Sequence, residues 1–151
     1  MKKTLVNLGF VVISLLGMLD ASYISYYTLS GNLPPCHPPF LCAEVLQSPW
    51  SHLAGIPLSL LGLLFYSSVF IVAILNYLQI QIAVPVFKNI KNLLRAMTIF
   101  GFFFSLYLVT IMGFIIKGWC LYCIISAATC ISLFALSFGL EKSATPKIAE
   151  D

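Results

Sequence analysis

The chain has 151 residues, 60% of them hydrophobic and 9% charged, with a net charge of +3 and a mean hydropathy of +1.01. Soluble domains carry about 25% charged residues, so a water-soluble fold is excluded. The positive charge sits on Lys and Arg beside the apolar runs, which gives no reason to expect a nucleic-acid partner.

A helix needs roughly 20 apolar residues to cross the hydrocarbon core. Four runs qualify: Leu5–Leu29, Gly55–Ile80, Leu93–Ile116 and Leu121–Leu140. They are continuous rather than alternating, which predicts helices and not a barrel. The first follows Met1-Lys2-Lys3, a start shared with secretory signals. No Ala-x-Ala site follows it, and Asp20, Tyr23, Tyr26 and Tyr27 do not suit a discarded peptide, so a retained helix is expected. Ser30-Gly31-Asn32 and Pro34-Pro35 break it.

The loop beyond reads Cys36-His37-Pro38-Pro39-Phe40-Leu41-Cys42, then Ala43–Gln47, then Ser48-Pro49-Trp50. Ala43–Gln47 is too short to span and suits a short interfacial helix, with Phe40 and Trp50 at headgroup depth. Gly55-Ile56-Pro57 opens the second span, with Pro57 in the first turn, where a missing N–H costs little. The loop Gln81–Asn92 carries Pro85 and basic residues. The third span reaches Ile116, Lys117-Gly118 form a tight turn, and the fourth helix starts near Trp119. The tail from Glu141 is polar. The expected fold is an all-α integral membrane protein. It is one domain, 1–151, built as an up-down four-transmembrane-helix bundle.

Lys and Arg orient such a bundle. With the N-terminus in the cytoplasm, Lys2, Lys3, Lys88, Lys91, Arg95, Lys142 and Lys147 lie inside, and Lys117 lies outside. Both termini are then cytoplasmic. Both cysteine-bearing turns face the exterior or periplasm, where disulfides persist. In a prokaryote this is the inner membrane.

Cys120-Leu121-Tyr122-Cys123 is the sharpest local signal. Cys123 falls one helical turn deeper than Cys120, about 4.5 Å along the axis. A helix N-terminus favours thiolate, the reactive form. Cys120 then faces water and Cys123 faces the lipid side, which suits hand-off to a lipid-soluble oxidant. Cys36 and Cys42 allow a disulfide across a short loop, open to exchange with a protein thiol. The three possible pairings of the four cysteines stay open. Cys130 has no partner in sequence and reads as a small core residue. His37 and His52 beside four thiols raise a metal-binding or metal-transporting alternative, although the spacing matches no standard zinc finger.

Asp20 is the only acid inside a predicted span, a costly placement that marks a functional candidate. It suits hydrogen bonding to a quinone, or carrying a proton. Ser48 is a candidate to cap or line the same site. Trp50, Trp119 and Tyr122 suit interfacial anchoring, and Trp50 and Tyr122 are also candidates to flank a flat quinone ring.

Taken in order, Asp20 with Tyr23, Cys36-x5-Cys42, Ser48-x-Trp50, Gly55-Ile56-Pro57 and Cys120-x-x-Cys123 resemble the vitamin K epoxide reductase family, in its bacterial disulfide-forming branch. The resemblance covers about residues 5–140. It implies a route for electrons. A reduced thioredoxin-fold (DsbA-like) partner attacks the loop disulfide at Cys36, Cys42 exchanges with Cys120, and Cys123 faces a quinone, either ubiquinone or menaquinone. Ser48 corresponds to the family's serine and is expected to shape the quinone pocket. Many bacterial members continue into a thioredoxin-like domain, whereas this chain stops at Asp151, so a separate partner is expected. Vertebrate members bind the vitamin K head group through an Asn in the second helix and a Tyr after Cys-x-x-Cys. Leu58 and Ala127 stand at those positions here, which favours quinone reduction over epoxide reduction. An unrelated four-helix quinone oxidase also has two outer cysteine pairs, but its Cys-x-x-Cys lies in the first outer loop, not the second.

Overall fold

The computed structural model describes residues 2–53, 55–78 and 90–142. The loop with Pro85 and Lys88, the end of the second expected span at 79–80, and the tail with Lys147 lie outside the described residues.

Helix α1 spans Lys2–Leu29. Three of its hydroxyls turn back onto its own backbone, with Ser14 donating to Phe10 O at 2.6 Å, Ser22 to Met18 O at 2.6 Å and Thr28 to Ile24 O at 2.9 Å. In lipid, where water cannot solvate a hydroxyl, this local bonding meets the polar demand. The helix stops where Gly31 takes φ +68°. The N–H groups of Gly31 and Asn32 then bond the carbonyls of Thr28 (3.3 Å) and Tyr27 (3.0 Å), a Schellman closure.

The short helix α2 covers Cys42–Leu46, one residue earlier than the sequence suggests, and a 3₁₀ turn follows at Pro49–Ser51. The second span departs from expectation. Ile56–Pro57 does not begin a helix but pairs with His52–Leu53 as a two-stranded hairpin, β1 (His52–Leu53) and β2 (Ile56–Pro57). Gly55, at φ +83°, turns the chain between them. Helix α3 therefore starts at Leu58 and runs to Tyr77, with Pro57 as its cap residue.

Helix α4 covers Ile90–Thr110 and continues as a π-helical turn, Ile111–Ile116, which ends at a left-handed Lys117. It begins three residues before the expected Leu93, because Ile90 already joins the apolar core. Helix α5 covers Leu121–Lys142. The four long helices are each apolar and long enough to cross a membrane, so the protein is an all-α, multi-pass membrane protein.

Helix α1 packs along α3 and α5, and α4 closes the ring against α5 and, more loosely, α3. Phe10, Val69, Leu94 and Leu133 fill the half of the bundle away from the cysteines, each 1% exposed or less. Asn76 there donates to Asn7 across the α1–α3 seam at 3.0 Å. Midway along, the Tyr66 ring lies against Gly17 so closely that any Cβ at that position would collide with it. Above Tyr66 the helices part around a cavity.

Candidate active site

Both cysteine pairs lie at one end of the bundle. Cys36 and Cys42 are joined by a disulfide, with Cα atoms 6.1 Å apart, and Cys120 and Cys123 are thiols. The backbone N–H of Leu41 donates to Trp119 O at 2.8 Å, which pins the chain before Cys42 to the chain before Cys120. Tyr122 adds a second tie, its hydroxyl donating to Pro35 O at 3.1 Å. Cys42 (1% exposed) and Cys120 (0%) consequently share one buried apolar cluster with Val45 and Met112, so Cys120 does not face water as its place at the helix start suggests but is covered by the loop that carries Cys42. Cys36 is half-buried at its edge.

Cys120 immediately precedes α5, and its carbonyl accepts the helix's first bond from Ile124 N–H at 3.0 Å. Its own N–H points to Met112 Sδ at 3.4 Å. A hydrogen bond from the Cys123 thiol holds the Cys120 thiol below its ordinary pKa; the backbone N–H groups of Cys123 and Tyr122 assist, while burial and the Asp20 charge oppose. Helix N-termini act on thiols in this direction. Cys120 is thus the member of its pair favoured as thiolate.

A cavity of about 350 Å³ opens beneath this cluster, inside the ring of helices. Of the four paired cysteines, only Cys123 lines it. Asp20, Ser48 and Trp50 lie on the same wall. Ser48 donates to Val45 O at 2.8 Å. Tyr122 lies off that wall, its ring 5.5 Å from Tyr23. Leu58 and Ala127 both line the cavity and present only carbon.

Three residues reach the site without a sequence signal that singled them out. Tyr66 forms part of the wall, and its hydroxyl donates to Ser126 O at 2.7 Å, with Thr129 Oγ1 at 2.8 Å and Cys130 Sγ at 3.1 Å. Ser59 lines the cavity with an unpartnered Oγ. Met112 backs Cys120. A tyrosine inside an apolar run gives no cue to a partner 60 residues away. Cys130 lies in the core, as expected of a small apolar residue, and also reaches the cavity. Among the described residues, no three His, Cys, Asp or Glu side chains gather as metal ligands would.

The vitamin K epoxide reductase family model matches residues 8–138, most of the chain. The protein belongs to this family. No curated protein matches the chain. Family membership makes it a membrane disulfide-relay oxidoreductase, and the family generally uses a quinone as electron acceptor. In this vitamin K epoxide reductase relative, the two cysteine pairs and the cavity occupy one continuous region, from a half-exposed sulfur to one inside the bundle.

Proposed function

We propose that the protein is a quinone-linked thiol oxidase of the inner membrane, with its cysteine end facing the periplasm or exterior. It recharges a thioredoxin-fold, DsbA-like dithiol oxidase. The Lys and Arg distribution supports the orientation. One observation carries the reading: the cysteines grade from half-exposed Cys36, through buried Cys42 and Cys120, to Cys123 on the cavity wall.

The partner's thiolate attacks Cys36 Sγ, and Cys42 leaves as thiolate. The partner's second thiol then closes its own disulfide and frees Cys36. Cys42 next attacks Cys120 in an oxidised Cys120–Cys123 pair, and Cys123 leaves. Cys36 attacks Cys42 and releases Cys120, so the loop pair is oxidised and the helix pair reduced. That is the arrangement of bonds in the structure.

The cavity suits a quinone head group. Its volume lies in the range of small-molecule sites, it sits within the spans, and its wall holds unpartnered Asp20 Oδ2 and Ser59 Oγ among mostly apolar side chains. A bound quinone supplies an acceptor for the two electrons and two protons that the dithiol loses as its S–S bond forms. Cys123 presents the sulfur on that side, Ser48 and Trp50 line the cavity with it, and Leu58 and Ala127 leave the site without the vertebrate head-group contacts. Quinone reduction is therefore favoured over epoxide reduction.

The test is turnover in vesicles holding the purified protein, a reduced thioredoxin-fold dithiol protein and either ubiquinone or menaquinone. Partner oxidation matched one-to-one by quinone reduction, and lost in Cys120→Ser and Cys123→Ser, is the expected result. Undiminished turnover in either variant would overturn the mechanism.

A further inference from the structure

Four hydroxyl side chains on the cavity wall are bonded to backbone carbonyls, two wall residues carry a buried oxygen with no partner, and Ser105, half-buried and without a hydrogen bond, belongs to neither group. Thr28 donates to Ile24 O at 2.9 Å, Ser48 to Val45 O at 2.8 Å, Ser51 to Ser48 O at 2.7 Å and Tyr66 to Ser126 O at 2.7 Å. Each spends its proton within the protein. Asp20 Oδ2 and Ser59 Oγ are buried with no partner. The third such atom among the described residues, Ser25 Oγ, is off the cavity wall. A buried polar atom left unpaired costs about 1–3 kcal/mol, and native proteins keep few. Two facing one cavity, from α1 and from α3, point to a ligand that pairs with them.

The titratable groups on that wall narrow the assignment. They are Asp20, His52, Tyr66, Cys123 and Cys130. Tyr66 and Cys130 are bonded to each other, and His52 is exposed, with Nδ1 2.9 Å from Ser51 Oγ. Cys123 is the thiol that must lose a proton. Asp20 is left with an unused oxygen and lines the same cavity as Cys123.

We infer that Asp20 and Ser59 form the polar clamp of this cavity for a quinone's carbonyl oxygens, and that Asp20 carries the Cys123 proton to one of them. The inference rests on the quinone reading above. Ser59 Oγ donates a hydrogen bond to a ring oxygen. Asp20 Oδ2 takes the proton released as the Cys120–Cys123 bond closes and delivers it to a ring oxygen. Two electrons pass to the quinone as the S–S bond forms; one proton comes from Cys123 through Asp20, and the second, equal to the one Cys120 gave up on becoming thiolate, comes from water. The clamp replaces contacts that Leu58 and Ala127 cannot make, using the residue next to Leu58 and the helix facing it.

The test uses the full chain in detergent and a short-chain 1,4-benzoquinone as probe. Binding is read by quenching of Trp fluorescence, since Trp50 lines the cavity. Ser59→Ala and Asp20→Ala should each weaken binding about tenfold, the effect of one buried hydrogen bond. Ser59→Ala should leave the melting temperature of the ligand-free protein unchanged or raised, because it removes an unpaired oxygen; a structural role for Ser59 predicts a fall. Asp20→Asn should slow single-turnover closure of the Cys120–Cys123 bond by about tenfold or more, with Asp20→Glu restoring most of it. Infrared difference spectra should show a carboxyl band that shifts on probe binding and is missing in Asp20→Asn. Wild-type protein that does not bind the probe would overturn the quinone reading. Wild-type binding that persists undiminished in Ser59→Ala and Asp20→Ala, with normal closure in Asp20→Asn, would overturn the clamp alone.

Discussion

The two cysteine pairs are held by different kinds of structure. Cys36 and Cys42 lie at the ends of an irregular, proline-bearing segment tied to the bundle by two long-range hydrogen bonds, Leu41 to Trp119 and Tyr122 to Pro35. Cys120 immediately precedes a 22-residue helix and Cys123 lies in its first turn, where the helix start fixes their spacing and favours thiolate. A station that receives proteins has to accommodate a moving surface. A station that empties into a buried cavity has to hold one sulfur at a fixed place. The loop pair and the helix pair are built for these separate demands, and Cys42 and Cys120 meet in the buried cluster between them.

Substitutions can break each side of this comparison separately. The largest effect is expected for Cys123→Ser. Turnover should vanish, and after one exchange with reduced partner both loop cysteines should stay reduced even with quinone present, visible as mass tagging of Cys36, Cys42 and Cys120 together. Met112→Ala removes the acceptor behind Cys120 and a buried side chain. It should cost about 2–5 kcal/mol of stability by denaturant unfolding in detergent, as core truncations do, and impair the helix pair first. Tyr66→Phe severs the tie between α3 and α5 beneath the cavity and should cost about 1 kcal/mol, the scale of interhelical hydrogen bonds in membranes. Tyr122→Phe frees the loop at Pro35 and should slow exchange between the pairs only about two- to threefold, measured by stopped-flow quench, with quinone binding untouched.

Those contrasts also show what could be read from the residues alone. The four spans were legible because continuous apolar runs of membrane length have no other stable outcome. Asp20 stood out because an acid in such a run is rare. The hairpin at His52–Pro57 was hidden, since Ile56 and Pro57 look the same whether they start a span or pair with a strand. The π-helical turn at Ile111–Ile116 was hidden for a similar reason: apolar residues do not report which carbonyl their N–H bonds. The cavity was the least legible feature. Its walls come from all four long helices, and Tyr66 gains its meaning only from groups brought near by packing. The resting state of the disulfides was open at the sequence level, because four cysteines permit three pairings.

The most direct test of the account is the redox state of the four paired cysteines in membranes that lack quinone. Cells are depleted of quinone, quenched with acid, alkylated with a mass-tagging reagent, and the tags are assigned by peptide mass spectrometry. The relay predicts that Cys36, Cys42, Cys120 and Cys123 all become reduced, and that added quinone reoxidises the helix pair before the loop pair. A Cys120–Cys123 pair that stays oxidised without quinone, or a loop pair that reoxidises first, would contradict it.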